Sequence, residues 1–170
     1  MLIGLCGAAG CGKNSVADFL TGTQIAFADP LYQCVSTITG LSVAELQDRA
    51  IKETVLPWLG KSPRQLLQSL GTEWGRDRVH QDIWIRIAME RARQAADAVI
   101  TDVRFDNEAQ AIIDEGGEVW RVVRPGWRCL SAESANHRSE AGVSDHLIAR
   151  TITNSGSIDD LGRLLDAATI

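Results

Sequence analysis

The run Gly7-Ala8-Ala9-Gly10-Cys11-Gly12-Lys13-Asn14-Ser15 constrains this chain more than any other stretch. An apolar segment, Leu2 to Cys6, precedes it and reads as a short buried strand. Lys13, Val16, Ala17, Phe19 and Leu20 follow at helical spacing. A glycine-rich loop between a strand and a helix lets backbone N–H groups turn inward. The helix start adds its positive end, and the lysine adds a full charge. Such a concavity suits phosphate: Gly7, Ala9, Gly10, Cys11 and Gly12 supply the loop, and Lys13 reaches the β- and γ-phosphates of a nucleotide.

One position departs from the usual pattern. Ser or Thr normally follows the lysine and contacts Mg²⁺. Here Asn14 stands there, with Ser15 behind it. We expect Asn14 near the metal, with Mg²⁺ held more through water and Ser15 turned toward the α-phosphate. The sequence leaves open which of the two faces the ion.

The rest of the chain alternates strand and helix signals. Thr23–Ala28, Ala98–Asp102, Glu118–Val123 and Arg150–Thr153 read as strands. Asp29-Pro30 predicts a helix start with Asp29 as cap and Pro30 at the first position. Ser42–Glu45 and Ser62–Gln65 fit the capping-box pattern, the second opening a helix through about Leu70. Further helices are expected over Ile83–Ala96, Glu108–Glu115 and Ser157–Ala167. Residues from Pro125 to Gly142 have no clean period and carry arginines, which predicts a functional loop or lid. The fold expected is α/β, a mostly parallel sheet of about five strands with helices on both faces.

Length and charge exclude several classes. With 170 residues the chain is one domain's worth, and no apolar run is long enough for a membrane span. The start reads as strand and turn rather than a signal peptide. Cys6, Cys11, Cys34 and Cys129 lack paired spacing, so neither a zinc site nor a disulfide framework is expected, and a reducing cytoplasm is the default. A net charge of −5 argues against nucleic-acid coating. Of the 17 basic residues only Lys13, Lys52 and Lys61 are lysines. A GC-rich genome explains that bias as readily as a need for arginine forks on phosphate.

Position offers more. Asp102 ends a strand, where an acid commonly faces Mg²⁺ or its water shell, although a cap or ion pair would also explain it. Arg104 falls at the carboxyl edge of the sheet, where α/β ligands bind. Asp106 reads as a helix cap. Arg64 and Gln68 share a helix face. Together with Thr72, Glu73 and Arg76 they form either a pocket wall or a solvated face. Arg121, Arg124, Arg128 and Arg138 cluster before and within the irregular segment. Trp74 and Trp84 flank the suspected pocket.

The residues Gly7–Ser15, Phe27-Ala28-Asp29-Pro30-Leu31, Arg64–Gln68 with Gly71-Thr72-Glu73 and Arg76, Thr101–Phe105 with Asn107-Glu108, and His137 with Ser139-Glu140 occur in order along the chain. So does Thr153–Ser157 with Leu161. In this the chain resembles the deoxynucleoside monophosphate kinases typical of bacteriophages, within the P-loop kinases. The resemblance implies transfer of the γ-phosphoryl of ATP to a deoxynucleoside 5′-monophosphate, with Mg²⁺. Asp29, Arg64, Gln68, Glu73 and Arg76 would line the monophosphate pocket, with Arg104 and Asn107 beside them. Lys13, Asp102, Arg104 and Arg138 would serve the transfer, Asn14 and Asp102 would face the metal, and Asn154 would lie where related kinases hold adenine. The expected organisation is one domain, 1–170, with a monophosphate region at about 29–85 and a lid at about 125–140. Small-molecule nucleotides are the expected partners, with no nucleic acid and no membrane, and a homodimer is left open. The expected place of work is the cytoplasm, that of the host if the chain is phage-encoded.

Three alternatives belong beside this reading. Dephospho-coenzyme A kinase has a ribose hydroxyl acceptor and needs a base, for which Asp29 could serve. A GTPase-type switch lacks its N-K-x-D guanine motif here. A non-catalytic nucleotide-binding scaffold would not need Lys13, Asp102 and the arginines together.

Overall fold

The computed structural model describes residues 1–126 and 142–166. They fall into two compact units, one of residues 1–26 with 88–170 and one of residues 27–87.

The first unit is built on a five-stranded sheet in the order β2-β3-β1-β4-β5. Its strands are β1 (Leu2–Cys6), β2 (Thr23–Ile25), β3 (Ala98–Val103), β4 (Glu118–Val123) and β5 (Arg150–Thr153). All four pairings are parallel. Strands covered on both faces read as continuous apolar runs rather than alternating ones, as Leu2–Cys6 and Ala98–Ile100 do. Helices α1 (Lys13–Phe19) and α8 (Ile158–Asp166) pack together on one face. Their buried side chains Val16, Ala17, Leu20, Leu161 and Leu165 meet Ile3, Leu5, Val99, Val122 and Ile152 of the sheet. Each fully buried side chain of this kind stabilises the fold by about 1.5–3 kcal/mol. Helix α7 (Asp106–Asp114) packs on β1 and β4. It lies close because β1 offers Gly4, where an added Cβ would sit 2.5 Å from the Ile112 Cδ1.

The second unit is helical. It holds α2 (Asp29–Thr39), α3 (Val43–Gln47), α4 (Arg49–Glu53) and α5 (Pro63–Gln68), followed without a break by a π-helix over Ser69–Val79. Helix α6 (Ile83–Gln94) comes next, and the division between the units falls inside it. The two capping boxes form as expected: Ser42 accepts from the Glu45 amide, Ser62 from the Gln65 amide, and each Glu or Gln side chain returns the bond.

The structure corrects several sequence expectations. The helical run expected to end near Leu70 continues as a π-helix over residues 69–79. Trp84 explains it: its indole N–H donates to the Gly71 carbonyl at 2.8 Å, and its ring lies where a Cβ on Gly75 would come within 2.5 Å. In this wide helical turn, glycine at that contact leaves room for the ring. Asp29 lies inside the first turn of α2, and Ala28 holds the cap position, so Asp29 does not cap. Strand β2 stops at Ile25, short of Ala28, and β3 runs on to Val103, which puts Asp102 within the strand. Helix α7 starts at Asp106, earlier than Glu108. Helix α4 was not expected; Asp48 caps it by accepting from the Ala50 and Ile51 amides. Among the described residues, no helix is long and apolar enough to cross a membrane.

Candidate active site

The glycine-rich loop leaves the carboxyl end of β1, the central strand. Gly7, Gly10 and Gly12 have φ of 133°, 78° and 105°, a region that side chains with a Cβ rarely enter. Two of them are also sterically required. A Cβ on Gly7 would fall 2.2 Å from the Val122 carbonyl oxygen, and one on Gly12 would fall 2.2 Å from Asn154 Nδ2. The loop then enters α1, whose cap residue Gly12 offers no side chain to the first amides. Lys13 folds back over the loop, its Nζ donating to the carbonyls of Gly7 at 2.7 Å and Ala8 at 3.0 Å. The ammonium is thereby held over the loop, where phosphate oxygens would sit. Asn14 is exposed and Ser15 half-buried on the first turn of α1. Ala9 and Gly10 form the outer turn of the loop, closed by the Cys11 amide donating to the Ala8 carbonyl at 3.2 Å.

Asn154, which follows β5, braces the loop. Its Nδ2 donates to the Cys11 carbonyl at 3.0 Å, and its own amide donates to the Val123 carbonyl at 2.8 Å. That bond to Cys11 gives Asn154 a structural task next to the loop.

A cavity of about 500 Å³ opens beside the loop at the carboxyl edge of the sheet. Its walls include Gly7, Ala8, Cys11, Arg104, Arg121, Arg124, Val143 and Asp145. Three arginines therefore face the same space as the phosphate loop. Arg104 leaves the end of β3, and its backbone amide, with that of Phe105, donates to the buried carboxylate of Glu108 at 2.6 and 3.0 Å. Glu108 thus fixes the turn that aims Arg104. Asp102 is half-buried on β3, and Asn107 is half-buried in the first turn of α7.

Arg121, on β4, and Arg124, just after it, line the cavity, a placement that the sequence did not indicate. The missed signal is positional: strand β4 neighbours β1, so residues at its carboxyl end flank the loop. Arg121 ion-pairs with Asp145 and donates to the Val143 carbonyl at 2.5 Å. Asp145 holds the guanidinium above its ordinary pKa. Burial pushes the Cys6 thiol up, while the Arg121 guanidinium beside it pulls the other way. Asp106 is more than a helix residue: its two oxygens accept from the Ser144 amide at 2.8 Å and hydroxyl at 2.6 Å. Those bonds hold its carboxyl below the usual carboxylate range. The grip is present at neutral pH and is lost as pH falls through that lowered value.

In the helical unit, α5 and the π-helix form one run that carries Arg64, Gln68, Glu73 and Arg76, and Asp29 begins α2, which packs on α5. Arg64 Nε donates to Glu53 at 2.5 Å with its side chain 11% exposed. Arg76 donates to the Gln81 carbonyl at 3.0 Å. Gln68 Nε2 is buried with no hydrogen-bond partner among the described residues. An unmet buried donor costs about 1–3 kcal/mol, a cost that a hydrogen-bonding ligand would relieve. Thr72 is buried and Glu73 exposed. Trp84 is core, while Trp74 is exposed. Arg128 and Arg138, and with them the expected lid, lie outside the described residues.

No group of three or more His, Cys, Asp or Glu side chains arranged to hold a metal occurs among the described residues. Mg²⁺ that arrives on a nucleotide takes most of its oxygens from phosphate and water and needs one or two protein groups. The oxygen donors of Asn14, Ser15 and Asp102 fit that demand.

The sequence profile of deoxynucleotide monophosphate kinases matches residues 32–164. The phosphate loop lies outside that stretch, so loop and profile are independent observations. A protein of Acanthamoeba polyphaga mimivirus assigned to the deoxynucleotide monophosphate kinases is 34% identical over 146 residues, covering 74% of this chain and 75% of that one. The deoxynucleoside-5′-monophosphate kinase of Escherichia phage T5 is 29% identical over an alignment of 226 positions, covering 91% and 89%. That alignment exceeds the 170 residues of this chain, so the phage protein carries insertions relative to it. The fold is shared with TT1252 of Thermus thermophilus, at a TM-score of 0.50 and 21% identity, with 99% of this chain and 96% of that one covered.

Proposed function

This chain belongs to the deoxynucleotide monophosphate kinase family, and from that premise we propose how it moves the γ-phosphoryl of ATP onto a deoxynucleoside 5′-monophosphate. The observation that carries the reading is the cavity at the carboxyl edge of the sheet, where the phosphate loop and three arginines share one space.

The loop amides and Lys13 hold the triphosphate of ATP. Lys13 leaves the Gly7 and Ala8 carbonyls for the β- and γ-oxygens, a short swing, since it already lies over the loop. Asn14 and Asp102 would hold Mg²⁺, which would supply neutralisation of phosphate charge when bound, with Ser15 turned toward the α-phosphate. Arg104 gathers on the transferred group, its backbone fixed by Glu108. Asp29, Arg64, Gln68, Glu73 and Arg76 receive the monophosphate, and Asn107 is a further substrate-binding candidate. Arg138, outside the described residues, keeps the role that the resemblance implies for it, a charge on the transferred group. The acceptor phosphate is already an anionic nucleophile, so positioning and charge stabilisation suffice and no general base is required. A setting in the cytoplasm of an infected cell fits the viral relatives.

The test is ADP release by the full chain with ATP, Mg²⁺ and a panel of deoxy- and ribonucleoside monophosphates. The expected result is release that depends on a deoxynucleoside monophosphate. Release with dephospho-coenzyme A alone, or with no acceptor in the panel, would overturn the reading.

A further inference from the structure

Val143 and Asp145 line the cavity, with Ser144 between them, on a stretch with no strand of its own, yet side chains from two elements fasten it. From β4, Arg121 reaches the Val143 carbonyl and the Asp145 carboxylate. From the start of α7, Asp106 commits both its oxygens to Ser144. The segment is stiff between these points. The Leu147 amide donates to the Ser144 carbonyl and the Ile148 amide to the Asp145 carbonyl, both at 3.1 Å. The Ala149 amide then donates to the Val119 carbonyl at 2.9 Å and delivers the chain to β5.

We infer that Asp106 and Arg121 are positioning residues that set this wall of the phosphate-transfer cavity, and that Arg121 serves the wall rather than a phosphate. The inference rests on the kinase reading above. Two observations separate it from the ordinary task of tying down a loop. Val143 and Asp145 face the same space as the phosphate loop and Arg104. In addition, Asp106 stands two residues beyond Arg104, on the turn whose amides Glu108 holds, so wall and arginine hang from one helix start. A shift of that wall changes the room left for the transferred group, and misplacement by about 1 Å costs on the order of 100-fold in rate. Arg121 is suited to the wall because its fork presents several donors in one plane, and three neighbours (the Cys6 thiol, the Val143 carbonyl and Asp145) already draw on it.

The test compares Asp106→Ala, Asp106→Asn and Asp145→Asn in the full chain, with thermal melts to establish folding. Asp106→Ala should lower kcat roughly 10- to 100-fold while changing KM for ATP less than about threefold. Asp106→Asn keeps an acceptor for the Ser144 amide and should recover most of the loss. Asp145→Asn should lower kcat in the same direction. Hydrogen exchange without nucleotide reads the fastening apart from turnover. The Ser144, Leu147 and Ile148 amides should exchange about tenfold faster or more in Asp106→Ala than in the parent. If Asp106→Ala does not fold, Ser144→Ala carries the same comparison with a smaller effect. Unchanged exchange, or an unchanged kcat in a folded variant, overturns the inference. So does a lower KM for ATP in Asp145→Asn, which would show Arg121 to be a phosphate group held in check by Asp145. An inactive parent with the expected exchange would instead overturn the kinase reading.

Discussion

The phosphate loop and the helical run over residues 63–79 are the two parts of the molecule proposed to meet nucleotides, and they are shaped by different means. The loop is shaped by what it lacks. Its left-handed glycines and the close approaches at Gly7 and Gly12 exclude side chains and leave backbone groups to line it. The helical run is shaped by what it accommodates. The Trp84 ring presses on Gly75 and bonds Gly71, and the helix widens to a π form around it. Backbone chemistry of the first kind leaves a spacing in the sequence. Packing of the second kind leaves only two glycines and a distant tryptophan.

This contrast can be broken at its strongest point first. Lys13→Ala should leave the melting temperature near the parent value and lower kcat on the order of 100-fold or more, because its charge acts on the transferred phosphate. A folded variant with near-normal kcat would remove the loop from the chemistry. Gly75→Ala should do the opposite. Overpacking against a rigid indole is expected to destabilise by about 1–3 kcal/mol, measured by denaturant unfolding. An unchanged unfolding midpoint would mean that the π-helix does not depend on Trp84. The smallest effect tests the polar face of the same run. Arg64→Ala should raise KM for the monophosphate roughly tenfold with KM for ATP nearly constant, through loss of a charge-assisted phosphate contact. Equal changes for both substrates would return Arg64 to its ion pair with Glu53 as its whole task.

The same contrast explains what was legible. Strands β4 and β5 keep the bounds that the sequence predicts for them, and both serine capping boxes form, because local chemistry decides the boxes. The phosphate loop was readable for the same reason. The π-helix was not, since the contact that widens it joins Trp84 to Gly71 across 13 residues. That Arg121 lines the cavity was not legible, because strand order, not sequence distance, brings β4 beside β1. The bond from Asp106 to Ser144 spans 38 residues and has no sequence signature.

Gly4 lies in the middle of the central strand and touches none of the groups assigned to substrate, yet a single methyl there would drive against Ile112 and Val103. Either the Ile112 side chain gives way or helix α7 rises from the sheet, carrying Glu108 and Asp106 with it. The aim of Arg104 is therefore set from beneath, by the thickness of one missing carbon. A substitution at Gly4 tolerated in a descendant of this chain should arrive together with a smaller residue at position 112. The pair would behave as a single inherited unit, although nothing in the reaction itself connects them.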